Sequence, residues 1–556
     1  KSVLDHSGKD INGAKTFDRN VTFRLTTDYS PYTKTLASAQ ALGKKFGILD
    51  DVQDKAFTVD HSKIKMTAAG QDVKNLFDMY HVLSDAGRTD AINNILKELN
   101  LAPKGEFYLW VAKDSASFYN NYVKQNKNVT IDLSAKLLVK EGEIVKNDFK
   151  QIDFGNIYQS NLVTVEVPNV KPEKHVLDRT GKKVLDGKEV QLGDFVQYLL
   201  DGVTVPEKHD TLYQYDGLDK LDMKHDRYTG NWKGIIKGTE YTAEKEIVLP
   251  YDVTLKNGKV IKAGDKIAKG STYAFTFEFN QGTNSEFIKK LVTVKWNEKT
   301  GVWSYVINQD FLNSLGVKGT FDADFYIEAE RIETGDKIEN TFVNIVNKQE
   351  MTAKVITRTP EPPKPKHPEK HALDRTGKKV LDGKEVQLGD IIQYLLDGSM
   401  IPERHHTLYQ YDGLDKLDTK HDRYTGNWKG IIKGTEYTAE KQLVLPYDVT
   451  LKNGKVIKAG NKIEKGSSYA FTFEFNQATN SEFIKKLVTV KWDAKGGQWS
   501  YVINQDFLNS LGVKGTFDAD FYIEVERIET GDKIENTFIN IVNKQEMTAK
   551  VITRTP

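Results

Sequence analysis

The sequence of 556 residues contains no cysteine. This absence excludes disulfide bonds, thiolate metal sites and cysteine nucleophiles. An excess of one charge is missing too, because 79 basic and 78 acidic residues leave +1 at pH 7. Without such an excess, the chain has no general attraction for nucleic acids or anionic membranes, and we expect neither as a direct partner. No stretch approaches 18 uncharged apolar residues, so the sequence predicts no transmembrane helix.

Signatures of common enzymes are missing as well. The sequence holds no Gly-x-Gly-x-x-Gly, His-Glu-x-x-His or Gly-x-Ser-x-Gly motif. We therefore do not expect an enzyme that turns over a substrate. The first residue is Lys1, with neither a signal peptide nor an initiator Met, and we expect the chain to be an internal piece of a longer protein.

An internal duplication dominates what is present. Residues 174–360 and 370–556 have the same length, align without a gap and differ at 21 positions. The differences are mild, such as Val343 against Ile539 and Lys208 against Arg404. A unit of this length is a whole domain rather than one repeat of a solenoid.

Proline-rich segments separate the units. Residues 361–369 alternate proline with charged residues, which favours polyproline II and predicts a short, stiff spacer. A shorter segment of this kind precedes the first copy. We therefore expect three domains, 1–167, 168–360 and 370–556, with 361–369 as the linker between the last two.

Apolar and polar residues alternate with a period of two inside the copies. Examples are Tyr273–Phe279, Val292–Trp296 and Phe321–Ile327, and this period is typical of half-buried antiparallel strands. Short strands separated by turns about every 8–12 residues favour a β-sandwich. The predicted fold class is all-β, with tandem β-sandwich domains that carry helical inserts.

Some local structure can be predicted as well. Asn257-Gly258 between two apolar runs predicts a hairpin with a type I′ turn. Short helices are expected at Ser285–Leu291 and Asp310–Leu315. In the first domain, apolar positions at helical spacing predict helices over Asp72–Met79 and Asp90–Leu99.

One constellation of reactive residues recurs in all three domains: a Lys at the start, an Asp in the middle and an Asn near the end. The Lys and the Asp are 45 residues apart in both copies and 49 residues apart in the first domain. The Lys and the Asn are 166 residues apart in both copies and 155 residues apart in the first domain. The opening residues of the first domain also echo those of the first copy. The three sets are Lys1, Asp50 and Asn156; Lys174, Asp219 and Asn340; and Lys370, Asp415 and Asn536.

Such a set allows an intramolecular amide bond. Burial would lower the pKa of the lysine until its neutral amine becomes a nucleophile. A buried Asp would remain protonated and polarise the carbonyl of the Asn side chain. Attack on the amide would then release ammonia and leave a Lys–Asn isopeptide bond, which could cross-link a domain where a disulfide might. Asp50, Asp219 and Asp415 would be the acids that promote it.

The spacing leaves alternatives open. Asp216 and Asp412 compete for the role of the acid, because Tyr215-Asp216 also alternates as a strand would. Further asparagines near the ends of the two copies compete for the role of the amide: Asn344, Asn347, Asn540 and Asn543.

Two other groups of residues are candidates for a function. His225 and His421 stand in acidic loops with the flanking Asp222, Asp226, Asp418 and Asp422. A solvated turn is the simpler interpretation, and calcium would be the metal of choice for such oxygen ligands, although the spacing is not that of an EF-hand. Trp232, Trp296 and Trp303 could form a sugar-binding platform, but aromatic residues that alternate along strands favour a sandwich core.

Several longer motifs resemble the C-terminal region of the streptococcal antigen I/II surface adhesins. The resemblance covers essentially the whole chain. The motifs that carry it are Gln151–Asn161, Val167-Pro168, Pro172–Lys174, Tyr228–Asn231, Ile261–Gly264 and Asn340–Asn347.

The resemblance implies tandem immunoglobulin-like sandwiches of the variant DEv-IgG type, locked by Lys–Asn isopeptides. The family's Pro-Glu-Lys lysine matches Lys174 and Lys370, and its Glu-Asn-Thr-(Phe/Tyr)-Val-Asn asparagine matches Asn340 and Asn536. The match of Lys1 and Asn156 is weaker, because Lys1 is the first residue of the chain. No cofactor is implied, and structural calcium occurs in some members, with no ligands assigned here.

The resemblance also implies a location and partners. The chain would be part of an extracellular stalk, covalently anchored to the cell wall in the full-length protein, that projects a distal adhesive domain. The partners of that protein would be neighbouring or recipient bacterial cells, as in family members that make conjugating cells aggregate, and host surfaces. A sandwich that itself binds a glycan or protein, and an accessory region of a cell-wall hydrolase, are the alternative functions.

Overall fold

The computed structural model describes residues 1–34, 37–439 and 441–556. Three groups of β-sheets follow one another along the chain, and they are called unit 1 (1–167), unit 2 (168–360) and unit 3 (370–556) below. Each unit contains at least one fully buried tryptophan, Trp110, Trp303 and Trp499 in turn. The architecture is that of tandem β-sandwich domains of the immunoglobulin-like type, as the sequence predicts.

Unit 1 contains a six-stranded, a five-stranded and a three-stranded sheet among its described residues. Its strands are Ser2–Leu4, Ala14–Lys15, Asn20–Thr26, Gly47–Asp50, Phe57–Val59, Lys65–Ala68, Gln71–Asp72, Phe77–Val82, Phe107–Ala112, Val129–Leu137, Ile144–Asn147, Lys150–Asp153, Asn156–Gln159 and Val163–Glu166. Its helical segments are Ser30–Tyr32, Ala39–Leu42, His61–Lys63, Lys74–Leu76, Asp85–Gly87, Asp90–Glu98, Ser115–Phe118 and Tyr119–Val123.

Unit 2 is a sandwich of a seven-stranded and a five-stranded sheet, with a small two-stranded sheet beside it. In sheet order, the seven strands are Glu173–Asp178, Phe195–Asp201, Thr320–Arg331, Asp226–Thr242, Thr272–Asn280, Val253–Leu255 and Val260–Ile261. The five strands are Val292–Asn297, Val302–Ile307, Tyr215–Lys220, Gly335–Val346 and Gln349–Thr359, and the two are Ile247–Val248 and Lys266–Ile267. The helices are Glu286–Leu291 and Gln309–Ser314.

Unit 3 repeats the topology of unit 2. Its seven strands are Glu369–Asp374, Ile391–Asp397, Thr516–Arg527, Asp422–Thr438, Ser468–Asn476, Val449–Leu451 and Val456–Ile457. Its five strands are Val488–Asp493, Gln498–Ile503, Tyr411–Lys416, Gly531–Val542 and Gln545–Thr555, and its two are Leu443–Val444 and Lys462–Ile463. The helices are Glu482–Leu487 and Gln505–Ser510.

The predicted alternation of strands is confirmed by their burial. In Thr320–Arg331, every second side chain from Phe321 to Arg331 points into the core, and the residues between them are partly exposed. The inward residues of both sheets form one continuous hydrophobic core in unit 2, and Phe17 of unit 1 also packs into it.

Three of the four predicted helices are present. Thr89 caps Asp90–Glu98 by accepting a hydrogen bond from the backbone of Ile92, and the two helices of unit 2 lie within a residue of their predicted bounds. The helix predicted over Asp72–Met79 is wrong. A single 3₁₀ turn, Lys74–Leu76, leads there into the strand Phe77–Val82, which pairs with Phe107–Ala112. Sheet pairing outweighs the weak helical periodicity of this segment.

The Asn257-Gly258 hairpin forms, but its turn is not of type I′. Gly258 has a φ of 90°, whereas Asn257 does not adopt a positive φ, which type I′ requires of both central residues. The Asn257 side chain instead accepts a hydrogen bond from the N–H of Lys259. Within the described part of the chain, no helix is long and apolar enough to cross a membrane.

Candidate cross-linking sites

Lys174, Asp219 and Asn340 enter the core of unit 2 from three strands. Lys174 lies on the first strand of the seven-stranded sheet, and the other two lie on adjacent strands of the five-stranded sheet. Asp219 is opposite Phe342 in the strand register, so Asn340 is its diagonal neighbour on the same inward face. The lysine therefore reaches from one sheet across the sandwich to an acid and an amide on the other.

The carboxyl group of Asp219 bridges the two other side chains. Lys174 Nζ donates to Asp219 Oδ1 at 2.6 Å, and Asn340 Nδ2 donates to Oδ2 at 3.1 Å. The side chains of Lys174 and Asp219 are wholly buried. The lysine amine also lies 4.9 Å from the ring centroid of Tyr198. Bulk solvent is thus excluded from a group that ordinarily carries a charge.

Unit 3 reproduces this arrangement. Lys370 Nζ donates to Asp415 Oδ1 at 2.7 Å, and Asn536 Nδ2 donates to Asp415 Oδ2 at 3.1 Å. The lysine amine lies 4.8 Å from the ring centroid of Tyr394. All of these residues are the same in the two copies.

Burial shifts the proton equilibria of both partners. In unit 2, desolvation lowers the pKa of the Lys174 amine below its ordinary value, although the neighbouring Asp219 opposes the shift. Desolvation likewise raises the pKa of Asp219, against the influence of Lys174. Both shifts favour a neutral amine beside a neutral carboxylic acid, because a low-dielectric core disfavours charge.

A buried amide oxygen of an asparagine has no hydrogen-bond partner among the described residues in each of the three units: Asn147 Oδ1, Asn340 Oδ1 and Asn536 Oδ1. An unpaired buried acceptor is costly. If the oxygen and nitrogen of the Asn340 amide exchanged places, at the loss of the hydrogen bond from Nδ2 to the carbonyl of Lys220 at 3.3 Å, the oxygen would face Asp219 Oδ2, where a protonated carboxyl could donate to it. That hydrogen bond would polarise the carbonyl carbon which the amine must attack.

Unit 1 has a related arrangement with a different asparagine, in which the lysine and the amide contact the same carboxyl oxygen. Lys1 Nζ donates to Asp50 Oδ2 at 2.8 Å and to the carbonyl of Asp148 at 2.9 Å. Asn147 is 3% exposed, and its Nδ2 donates to Asp50 Oδ2 at 3.3 Å. The pKa of Lys1 is lowered and that of Asp50 is raised, in both cases mainly by burial.

Asn156, which the sequence pattern pairs with Lys1, does not lie in this site. It is exposed on the edge strand Asn156–Gln159, opposite Asp153. The pattern misleads because the Gly-Asn context of Asn156 resembles the Glu-Asn of the copies, whereas the fold brings Asn147 of the three-stranded sheet against Asp50 of the five-stranded sheet. A useful signal lay in the spacing, since Asn147, Asn340 and Asn536 are equally far from the ends of their units at 167, 360 and 556.

The alternative residues are engaged elsewhere. Asp216 Oδ2 accepts a hydrogen bond from Gln214, and Asn344 binds the N–H of Val203 and the carbonyl of Asp216. Asn347 organises the loop before Tyr215 by accepting from backbone N–H groups. Their counterparts in unit 3, Asp412, Asn540 and Asn543, make matching contacts.

A buried arginine cluster beside the site was not anticipated from the sequence. Arg331 is wholly buried, and its Nε donates to Asp226 Oδ1 at 2.8 Å. Its other nitrogens donate to Tyr198, Thr357 and Thr359. The cluster therefore ties the last strand of the unit to the sheet that carries Lys174. A charged residue at an inward position of the alternating strand was the available signal.

The acidic loop at His225 is accordingly less exposed than predicted. Asp226 is buried and its charge is balanced by Arg331, while His225 Nδ1 lies 2.8 Å from Asp222 Oδ2. Asp226 is therefore not free to act as a calcium ligand. Of the tryptophans, Trp303 is wholly buried and the other two pack partly buried against the core, as a sandwich core requires.

Potential metal ligands converge elsewhere on the described surface. Glu173, His175 and Asp201 bring three ligand atoms within reach of one another, and unit 3 repeats the group. His175 Nδ1 already contacts Asp186 at 2.7 Å. Structural calcium thus remains a prediction without assigned ligands.

Comparison with known proteins identifies the class. A family model described as the cell surface antigen C-terminus matches residues 171–360 and 367–556, and one for the cell surface antigen I/II C2 terminal domain matches residues 1–167. The chain belongs to the antigen I/II family of cell surface antigens.

Among curated proteins, the chain is similar to the aggregation substance of Enterococcus faecalis, with 26% identity over 381 residues. The match covers 65% of this chain and 24% of the relative, so the chain spans about a quarter of that protein. Among solved structures, the C-terminal domain of the Streptococcus pyogenes antigen I/II-family protein AspA aligns at 30% identity and a TM-score of 0.50. The alignment covers 64% of this chain and 98% of that domain. A structure named BspA_C_mut gives the same identity and TM-score.

Proposed function

We propose that the chain is a stalk segment of a cell-wall-anchored bacterial surface adhesin and that a Lys–Asn isopeptide bond closes each of its units. The observation that carries the proposal is the buried lysine, aspartate and asparagine in every unit. A lysine amine that is shielded from solvent beside a carboxyl and an amide has no evident structural role as a charged group.

The reaction needs no reagent from outside the core. The neutral amine of Lys174 attacks Cγ of Asn340, while protonated Asp219 donates a hydrogen bond to Oδ1. Asp219 then passes a proton from the attacking nitrogen to the departing amide nitrogen. The C–N bond to that nitrogen breaks, ammonia leaves, and a secondary amide remains. The bound geometry makes the step effectively unimolecular.

The bond would join the two sheets of each sandwich. In unit 2 it closes a loop of about 166 residues, which is worth on the order of 5 kcal/mol by chain-entropy reasoning. Its larger effect is mechanical, since tension between the ends of the unit would pass through the Lys174–Asn340 bond. Residues 175–339 would be shielded from that tension.

This property suits a stalk that holds an adhesive domain away from the cell wall. The similarity to an aggregation substance supports a role in cell aggregation, with adhesion, biofilm formation and conjugation as the processes served. Neighbouring or recipient cells would then be bound by the full-length protein. The only chemistry proposed for this chain is a single turnover on itself.

Peptide mapping tests which residues are joined. After digestion of the denatured protein, we expect branched peptides that link Lys174 to Asn340, Lys370 to Asn536 and Lys1 to Asn147. Lys174→Arg is the matched control and should abolish only the first. Linear peptides containing unmodified Lys174 and Asn340 in the wild-type digest would contradict the proposal.

A further inference from the structure

The joints between successive units are built differently. At the first joint, the buried carboxylate of Asp210 in unit 2 accepts hydrogen bonds from the N–H groups of Phe17 and Asp18 in unit 1, at 2.9 and 3.1 Å. Asp5 of unit 1 accepts from the N–H and hydroxyl of Thr211 at 2.8 and 2.7 Å. This joint uses carboxylates and backbone amides.

The second joint uses opposite charges. Arg404 of unit 3 lies 2.8 Å from Asp194 of unit 2, and its side chain also donates to the carbonyl of Leu192. The two ring nitrogens of His406 lie 3.2 Å from Glu333 and 2.7 Å from Glu361. A basic edge of unit 3 thus meets carboxylates of unit 2, Asp194 and Glu333, and of the linker, Glu361.

Arg404 and His406, which make the second joint different from the first, are among the few residues that differ between the two copies. Arg404 and His406 occupy the positions of Lys208 and Asp210 in unit 2. The edge that receives them is unchanged, because Leu192, Gly193, Asp194, Ile332 and Glu333 are repeated in unit 3 as Leu388, Gly389, Asp390, Ile528 and Glu529. These last five residues are called the distal face.

The distal face of unit 3 is exposed. Leu388 is 58% exposed, whereas its counterpart Leu192 is 1% exposed beneath unit 3. Ile528 is 42% exposed, and Asp390 and Glu529 are exposed as well. Residues that are buried or partly covered at one joint are therefore open to solvent at the other end of the repeat.

We infer that the distal face is a docking surface for a further domain of the same repeat, one that carries Arg and His at the positions of Arg404 and His406. The face is identical in sequence to the part of the existing interface that unit 2 contributes, and its carboxylates complement that basic pair. A repeat with Lys and Asp at those positions fits less well, because its Asp would meet Glu529. This inference concerns a different site from the cross-links and stands or falls without them.

The test extends the chain by one repeat. Residues 361–556 are appended after Pro556, and spin labels are placed on introduced cysteines, which are unique because the chain has none. Labels at Lys182 and Lys378, both exposed, give a reference distance distribution across the existing joint. Labels at Lys378 and its counterpart in the appended repeat should give the same mean distance and an equally narrow width.

Two matched variants identify the contacts. In the first variant, Arg and His of the appended repeat are changed to Lys and Asp, as in unit 2. The second variant combines Asp390→Ala with Glu529→Ala. Each should widen the distance distribution across the new joint at least twofold and leave that across the existing joint unchanged. Thermal unfolding verifies that each appended repeat is folded. A broad distribution in the unmodified extended chain, or a narrow one that neither variant changes, would overturn the inference.

Discussion

A buried lysine beside a buried aspartate can hold its protons in two ways, as an ion pair or as a neutral amine beside a neutral acid. Only the second arrangement supplies a nucleophile and an acid together. Around Lys174 and Asp219 the exclusion of solvent favours it, since burial lowers the pKa of the amine and raises that of the carboxyl. The chemistry thus follows from where the fold places ordinary residues.

Removal of the acid should stop the reaction in one unit alone. We expect the intact mass of Asp219→Ala to fall short of the mass calculated from its own sequence by two ammonia molecules instead of three, because the amide carbonyl of Asn340 loses its hydrogen-bond donor. Intact mass spectrometry measures this directly. Asp216→Ala is the control and should leave the mass deficit unchanged; an equal effect of both variants would show that the acid has been misassigned.

A second carboxyl predicts a pH dependence of stability. Burial, together with the neighbouring carboxyl of Asp201, raises the pKa of Asp324 to about 8. The folded state therefore binds a proton that the unfolded state loses near pH 4, so this group makes unit 2 less stable as pH rises from about 4 to about 8. As the pH rises from about 4 to about 8, we expect the melting temperature of Asp324→Asn to increase relative to that of the wild type. The increase should be about 2–4 °C for each kcal/mol of unfolding free energy that the wild type loses.

Thermal unfolding at a series of pH values checks the prediction. Glu278→Gln, an exposed change on the same sheet, is the control. A difference between Asp324→Asn and the wild type that stays constant from pH 4 to pH 8 would count against the assigned titration.

At the scale of strands and helices, much was predictable because burial imposes a period on the sequence. The strand Thr320–Arg331 and the helix Asp90–Glu98 follow from their apolar patterns. The strand Phe77–Val82 does not, because its identity depends on pairing with Phe107–Ala112. The sites in units 2 and 3 could be predicted because the distances from Lys to Asp and from Lys to Asn along the sequence are the same in both copies.

The site in unit 1 could not be assigned from the distance between lysine and asparagine along the sequence, because that distance does not show which asparagine faces inward, although the equal distance to the end of each unit points to Asn147. Asn147 ends a strand whose alternate residues are buried, whereas Asn156 lies on an edge strand with both faces exposed. In the structure, the burial of the two side chains distinguishes them.

This difference gives a direct test in unit 1. In Asn147→Ala, the deficit of the intact mass relative to the mass calculated from the variant's own sequence should fall from three ammonia molecules to two, and unit 1 should become less stable. Asn156→Ala should leave both the three-ammonia deficit and the stability unchanged, because its side chain is exposed. If Asn156→Ala alone restored the ammonia, the assignment from the structure would be wrong.

At the scale of the whole molecule, the cross-links would leave one short segment of each unit free to extend under tension. A short segment follows the linked asparagine in each unit: 148–167, 341–360 and 537–556. This segment includes the last strand, which in unit 2 is held by hydrogen bonds from Arg331 to Thr357 and Thr359. Under tension, only this terminal segment could unravel.

Stretching single molecules measures that limit. A cross-linked unit 2 should lengthen by at most about 70 Å as residues 341–360 extend, against about 650 Å when 174–360 unravels without a cross-link. Lys174→Arg, which cannot form the bond, should restore the long extension in that unit. Long extensions from every unit of the wild-type chain would contradict a stalk shielded by cross-links.

The mass of the intact, denatured chain tests the central claim most directly. Each bond releases one ammonia, and denaturation removes every contribution of non-covalent contacts. The account predicts a mass lower than that of the sequence by three ammonia molecules. A mass equal to that of the sequence would contradict it.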